Sequence, residues 1–348
     1  MSENLISVKS YLGKYYSELL QSAQQAKYKD TQLDLFFEQR FYMQSNKVQM
    51  VVEPDIPGLE ISVCGNEIHV SHALYNHANV VITNSMETGK TTNPQSLYNP
   101  DTFSTLAYLI CQNHTSFKIV GELDEPIYVK YSSDYETFYN SVLVFSADPG
   151  LDVEIVEEFN SCGALNSVTN YIMYPDSTIN LTTFYNNRLS AVSFCYRNII
   201  EQQGAKFNHI LYGRGSSNII DENRICNSSN SETEMLGIVD SAGRKFHSIL
   251  YVESDIPNYG ITVDYKDILQ GNGDVTFLPV ITGVLPLGDN AIIDVADITI
   301  EELPVGQYNT SISAFISAIV GRTILDRTVS VSRFYESKAK FLAGINSV

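Results

Sequence analysis

Three groups of side chains have the types that chemistry needs, and the spacing of each decides what it can do. Asn84-Ser-Met-Glu-Thr-Gly89-Lys90-Thr91 follows an apolar run, Val80–Thr83, and ends like a phosphate-binding loop. Such a loop needs Gly at its first position, so that the backbone can wrap the phosphates, and a helix behind it whose dipole faces the charge. Asn84 stands at that position, and Thr92-Asn93-Pro94-Gln95 does not open a helix, so the segment reads as a polar loop. Cys64, His69, His72 and His77 have zinc-ligand types, but the C-x4-H-x2-H-x4-H spacing fits neither a finger nor a catalytic zinc motif. They read as surface and partly buried side chains of a β-piece, and Cys111 with His114 is a second weak pair. Cys195, His209, Cys226 and His247 lie on successive β-like runs, where stacking could bring two of them together. Free Cys is also a common core residue. The carboxylate pairs Glu157-Glu158 and Glu301-Glu302 alternate across a strand, so they do not face each other. They read as a solvated edge whose charge blocks strand addition. No Gly-x-Ser-x-Gly or His-Glu-x-x-His motif appears. The sequence therefore assigns no catalytic, cofactor-binding or metal-binding residue and predicts a protein that is not an enzyme and has no cofactor.

The whole composition agrees with a folded, non-catalytic chain. Of 348 residues, 44% are hydrophobic and 18% charged, which is too apolar for a disordered chain. A net charge of −18 repels phosphate backbones, so nucleic acid is a poor partner. Twenty-two Tyr, sixteen Phe and no Trp favour β-structure and contact surfaces. The N-terminus lacks a basic segment followed by an apolar run, and no stretch reaches eighteen apolar residues, so neither a signal peptide nor a membrane span is expected. Five scattered cysteines without a CxxC pair argue against a disulfide framework and for synthesis in a reducing cytoplasm, from which a virion is a possible later destination.

The elements that would position any site fall into three stretches. Leu5, Val8, Leu12, Tyr15, Tyr16 and Leu19 recur at helical steps and predict a helix over residues 4–28. Residues 30–130 mix β-like pieces, such as Leu59–Val63 and Val80–Thr83, with polar turns, and Thr102–Cys111 has the length of a short helix. From about Pro126, short apolar or alternating runs follow one another at steps of roughly a dozen residues. Turns such as Asp148-Pro149-Gly150 and Gly213-Arg214-Gly215 separate them, and no amphipathic helix intervenes. A sandwich, a barrel and a stacked β-helix all remain open; the even spacing and the near-absence of Asn-Gly turns favour a solenoid. In the last stretch Val331, Phe334, Phe341, Leu342 and Ile345 share a helical face, and Arg322, Arg327, Arg333, Lys338 and Lys340 make it basic. That face is either a solvated surface or a docking helix for an acidic partner. The division is a helical and mixed region (1–125), a β-helix core (126–300) and a C-terminal helical segment (301–348).

This order of elements resembles the SufB/SufD family of iron–sulfur cluster assembly proteins, and SufD in particular. Tyr-Val-Glu-Ser-Asp-Ile-Pro-Asn-Tyr-Gly-Ile-Thr-Val-Asp-Tyr-Lys-Asp-Ile-Leu (251–269) is similar to a family segment, and Asp274-Val275-Thr276-Phe277 falls where the family has its next strand. Val153–Glu158, then Ser167–Ile172, and Ala318-Ile319-Val320-Gly321-Arg322 match in the same order. The resemblance implies a mainly β fold, a right-handed parallel β-helix with helical N- and C-terminal segments, and edge-to-edge pairing of β-helices. The departures are specific. Where the family has a Cys/Ser-His pair tied to cluster chemistry, this sequence has Ala314, Phe315 and Ile316; a family histidine falls on Glu253 or Ser254. Clusters need soft thiolate and imidazole ligands.

The sequence thus predicts a non-enzymatic structural or assembly subunit on a SufD-like β-helix, such as a virion component in a phage tail or baseplate. Its partners would be protein subunits, including another copy or a related β-helix, held by Tyr- and Asn-rich faces. The alternative is a SufD-type component of an iron–sulfur cluster assembly complex, with an ABC-type ATPase docked on the C-terminal helices.

Overall fold

Strands of eight to eleven residues, rich in β-branched and aromatic side chains, follow one another from Thr137 to Gly283 with only short corners between them. Such strands cannot all find antiparallel neighbours through tight turns. They stack on the strand two places along the chain instead. The computed structural model describes residues 6–7, 40–43, 49–64, 67–84, 107, 115–133, 137–187, 192–214, 218–240, 245–254, 259–268, 274–283 and 299–303. The leading strands are β1 (Ile6–Ser7), β2 (Arg40–Met43), β3 (Gln49–Glu53), β4 (Glu60–Cys64), β5 (Glu67–Ser71), β6 (Val80–Asn84) and β7 (Thr115–Ile119); α1 (His72–Tyr75) is one turn capped by Ser71, whose hydroxyl accepts the Leu74 N–H. The solenoid proper is β8 (Ile127–Ser133), β9 (Thr137–Ala147), β10 (Asp152–Ser161), β11 (Ala164–Met173), β12 (Thr178–Tyr185), β13 (Val192–Glu201), β14 (Lys206–Arg214), β15 (Asn218–Asn227), β16 (Ser231–Asp240), β17 (Lys245–Ser254), β18 (Tyr259–Ile268), β19 (Asp274–Gly283) and β20 (Thr299–Leu303).

The even strands β8 to β20 form one parallel sheet and the odd strands β9 to β19 another. The chain alternates between them, so each pair of strands is one coil. Register is continuous: Val142 sits beside Val168, and Val168 beside Tyr196. A solenoid was one of three architectures the spacing left open, and the pairing selects it. At the leading end β4 continues the even sheet beside β8, while β7 and β2 join the odd sheet on β9.

Inward-facing residues form columns that run from coil to coil. Phe117, Phe145 and Tyr171 stack at centroid distances of 5.3 and 5.8 Å, and Tyr131, Phe159 and Tyr185 at 4.5 and 4.8 Å. Each stacked pair adds about 0.5–1.5 kcal/mol beyond its buried area. The outward side of the odd sheet is also covered: Asn166, Val168, Asn170, Phe194 and Tyr196 are buried within the chain. These Tyr and Asn residues are therefore not a free docking face.

One corner of the coils is built from a repeated left-handed residue. Gly150, Asp176, Gly204 and Asn230 all have φ between +59° and +73°. Their backbones are tied together: Gly150 N–H donates to Pro175 O, Asp176 N–H to Gln203 O, and Gly204 N–H to Ser229 O. Gly, Asp and Asn are the residues that tolerate this conformation.

One expectation is corrected, and others fall largely outside the described residues. The span read as a helix (4–28) contains a strand at Ile6–Ser7, paired antiparallel with Arg40–Phe41; the sheet pairing overrides the local helical period there. The remainder of that span, the polar loop at 85–91 and the C-terminal helical segment beyond Leu303 lie outside the described residues. Of Thr102–Cys111 only Ala107 is described, and it is helical and buried.

The corner column gives a direct test. A Cβ on Gly204 would lie 2.2 Å from Asp176 Oδ1, at φ +69°. Gly204→Ala is expected to lose about 1–2 kcal/mol from the left-handed backbone alone, and more from displacing Asp176. Asn230→Gly, at an equivalent corner, keeps the left-handed backbone unstrained and is expected to cost less than Gly204→Ala. Urea unfolding of both variants checks the contrast.

Candidate functional site

Ionisable groups inside a parallel solenoid must find partners among its own columns, because no water reaches them in bulk. Here the columns change character along the axis. Val129, Glu157, Thr183, Leu211 and Gly237 succeed one another in the even sheet. Leu143, Thr169, Arg197, Asn223 and Leu250 do so in the odd sheet, as do Ser141, Ser167, Cys195, Asp221 and Ser248. In these columns the charged residues Glu157, Arg197 and Asp221 fall on β10, β13 and β15, between uncharged positions on β8–β9 and on β16–β17.

Arg197 is the hub. Its side chain is 1% exposed, and those of Glu157 and Asp221 are fully buried. Arg197 Nε and Nη2 donate to Glu157 Oε2 at 2.9 and 2.7 Å, and Nη1 donates to Asp221 Oδ1. Tyr171 OH donates to Glu157 Oε1 at 2.7 Å, Thr183 Oγ1 donates to Glu157 Oε2 at 3.2 Å, and Tyr185 OH donates to Asp221 Oδ1 at 2.5 Å. Asn223 Nδ2 donates to Asp221 Oδ2 at 2.7 Å. The guanidinium also lies 5.9 Å from the Phe159 ring centroid, within cation–π reach. Burial and the neighbouring carboxylates push the Tyr171 and Tyr185 hydroxyls well above their ordinary range, so both stay protonated as donors.

The sequence candidates distribute around this hub without forming a ligand set. Cys195 is buried beside it, and burial pushes its thiol up to about 12, against the lowering effect of Arg197. A thiol held protonated is neither nucleophile nor metal ligand. His209 is buried and within electrostatic reach of Arg197; burial first, and then that charge, hold its imidazole neutral. Cys226 stacks between Ile200 and Glu253, His247 between Ile220 and Thr276, and His209 between Leu181 and Met235. No two of the four share a column. In the leading region, His69 Nδ1 and Nε2 contact Glu53 and Glu67 at 2.8 and 3.0 Å, and His77 Nδ1 accepts the Asn79 N–H. Cys64 stands opposite Glu67, while His72 belongs to α1. Among the described residues no three His, Cys, Asp or Glu side chains converge as metal ligands.

Glu157 corrects the sequence reading. It does alternate with Glu158, but it points inward and is fully buried, while Glu158 is half-buried. Arg197, forty residues on, is what admits it to the interior. The columns of strand positions hold the signal that finds this cluster, because they place Thr169, Arg197 and Asn223 in line. Asp221-Glu222-Asn223-Arg224 interrupts the apolar pattern of β15, so periodicity places a β-like run at Cys226 but not the inward-facing charges before it.

A second buried carboxyl, Glu201, sits toward the corner. Its Oε1 accepts from Thr233 Oγ1 at 2.5 Å and its Oε2 from Asn227 Nδ2 at 2.9 Å. Burial outweighs these bonds and pushes its carboxyl up to about 7.

Two measurements follow from these groups. Arg197→Met leaves two carboxylates unpaired in the interior and is expected to cost about 3–5 kcal/mol; Arg197→Lys, which loses the forked contact, is expected to recover only part of it in chemical denaturation. Glu201 ionises near its ordinary value of 4.5 in the unfolded chain but holds its proton to about 7 when folded. Ionisation therefore opposes folding as pH rises from 4.5 through 7, by about 3 kcal/mol at the upper end. Glu201→Gln is expected to flatten stability across that window, read by thermal unfolding at stepped pH.

Comparison with known proteins agrees with this architecture. No curated protein matches the chain. Residues 129–282 match the family described as "SUF system FeS cluster assembly, SufBD core domain", a span that begins in β8 and ends in β19. The two-sheet parallel solenoid of residues 129–282 is thus the part of the chain that matches the SufBD core domain.

Proposed function

We propose that this protein is a non-enzymatic scaffold subunit of an iron–sulfur cluster assembly complex, a SufD-type support for a cluster-building SufB-type partner. The observation that carries the reading is the SufBD core match laid over one uninterrupted solenoid whose interior is occupied by structural ion pairs. The thiols among the described residues fit support better than cluster holding. Cys195 is sealed and protonated, while Cys64, Cys162 and Cys226 lie on β4, at the β10–β11 corner and on β15. Ala314, Phe315 and Ile316 stand where the family resemblance places its Cys/Ser-His pair.

On this reading residues 126–300 are the scaffold, residues 1–125 flank its leading end, and the basic stretch 322–340 of segment 301–348 docks an ABC-type ATPase by charge complementarity. The family match favours this assignment over a virion component, for which neither fold nor family gives a specific argument. Among the described residues no helix is long and apolar enough to cross a membrane.

Co-expression with a SufB-type subunit and an ABC-type ATPase tests the proposal. A ternary complex on gel filtration is expected, with iron and labile sulfide retained only when the SufB-type subunit is present. Failure to form any complex, or stoichiometric iron and sulfide on this chain alone after anaerobic reconstitution, overturns it.

A further inference from the structure

The proton positions around Thr183 determine the tautomer of His209. Thr183 Oγ1 approaches Glu157 Oε2 at 3.2 Å, and two oxygens that close, one of them a carboxylate, need the hydroxyl proton between them. The same oxygen accepts from Arg197 Nη2 at 3.2 Å. Its single proton is thus committed, so toward His209 Nε2, at 3.0 Å, it is an acceptor, and His209 Nε2 carries the hydrogen. The neutral ring then presents a bare lone pair at Nδ1. That nitrogen is fully buried and meets no partner.

A second acceptor lies in the same layer. Arg197 and Thr183 touch across the interior; the register carries Arg197 onto Asn223 and Thr183 onto Leu211, two residues from His209 on the same inward face. Asn223 donates its amide hydrogens toward Asp221, and its Oδ1 is buried without a partner. In the next coil Ser248, in register with Asp221, has a buried Oγ that is likewise unpartnered. Two acceptors and a hydroxyl call for a donor. A cation is the poorer fit, because Glu157 receives four donated bonds and Asp221 three. No carboxylate oxygen is left over to neutralise it.

We propose that one water molecule is a fixed part of the interior at this layer, donating to His209 Nδ1 and Asn223 Oδ1 and accepting from Ser248 Oγ. Buried waters of this kind make two to four hydrogen bonds to groups the chain leaves unmet. The water completes the polar layer and fixes the imidazole in its Nε2–H form.

The full chain labelled with ¹⁵N-histidine provides the test. Long-range ¹H–¹⁵N correlation is expected to show His209 protonated at Nε2, with Nδ1 shifted as a hydrogen-bonded acceptor. A high-resolution crystal structure is expected to place water density about 2.7–3.2 Å from both His209 Nδ1 and Asn223 Oδ1. In Asn223→Leu that density is expected to be lost and the Nδ1 resonance to move to the position of a free lone pair. An Nδ1–H tautomer, a free lone pair in the native chain, or a metal ion in place of water would each overturn the proposal.

Discussion

Everything in the interior is arranged around one guanidinium flanked by two carboxylates. A parallel solenoid brings equivalent positions of successive coils within side-chain reach, so a charge introduced in one coil must be answered in the same coil or the next. Arg197 on β13 answers Glu157 on β10 and Asp221 on β15. Replacing such a group with apolar side chains often costs nothing in stability, so ion pairing by itself does not explain its presence. What it does provide is uniqueness. A slip of the coils by one strand pair would leave Arg197 against apolar columns and both carboxylates unanswered.

The tyrosines extend this constraint outward. Tyr171 and Tyr185 belong to the two aromatic columns, and their hydroxyls close the remaining carboxylate positions. Each ring therefore links the stacked apolar part of the interior to the charged layer. Tyr131 does the same one coil earlier through Thr169 at 3.0 Å. The carboxylates, the guanidinium and the aromatic columns are consequently tied into one connected interior.

Much of this architecture is legible in the amino-acid sequence. The even succession of short apolar runs after Pro126, the turns at Asp148-Pro149-Gly150 and the absence of helices between them point to stacked strands. What could not be read is which face of each strand turns inward. Glu157 and Glu158 have the same chemistry and alternate as the pattern requires, yet only the pairing of sheets decides which is buried. The charged run at 221–224 hides the inward face of β15 for the same reason, since its partners lie on other coils and not along the chain. The family resemblance was carried by the order of segments, whereas the sealed cluster rests on contacts between residues 12 to 40 positions apart.

The left-handed corner carries a consequence for how such a chain changes length. Its residues alternate between glycine and a side chain: Gly150, Asp176, Gly204, Asn230. The carboxylate of Asp176 occupies the room that Gly204 leaves. A coil inserted between these two corners would therefore have to bring a glycine of its own, because any side chain there would meet the Asp176 carboxylate.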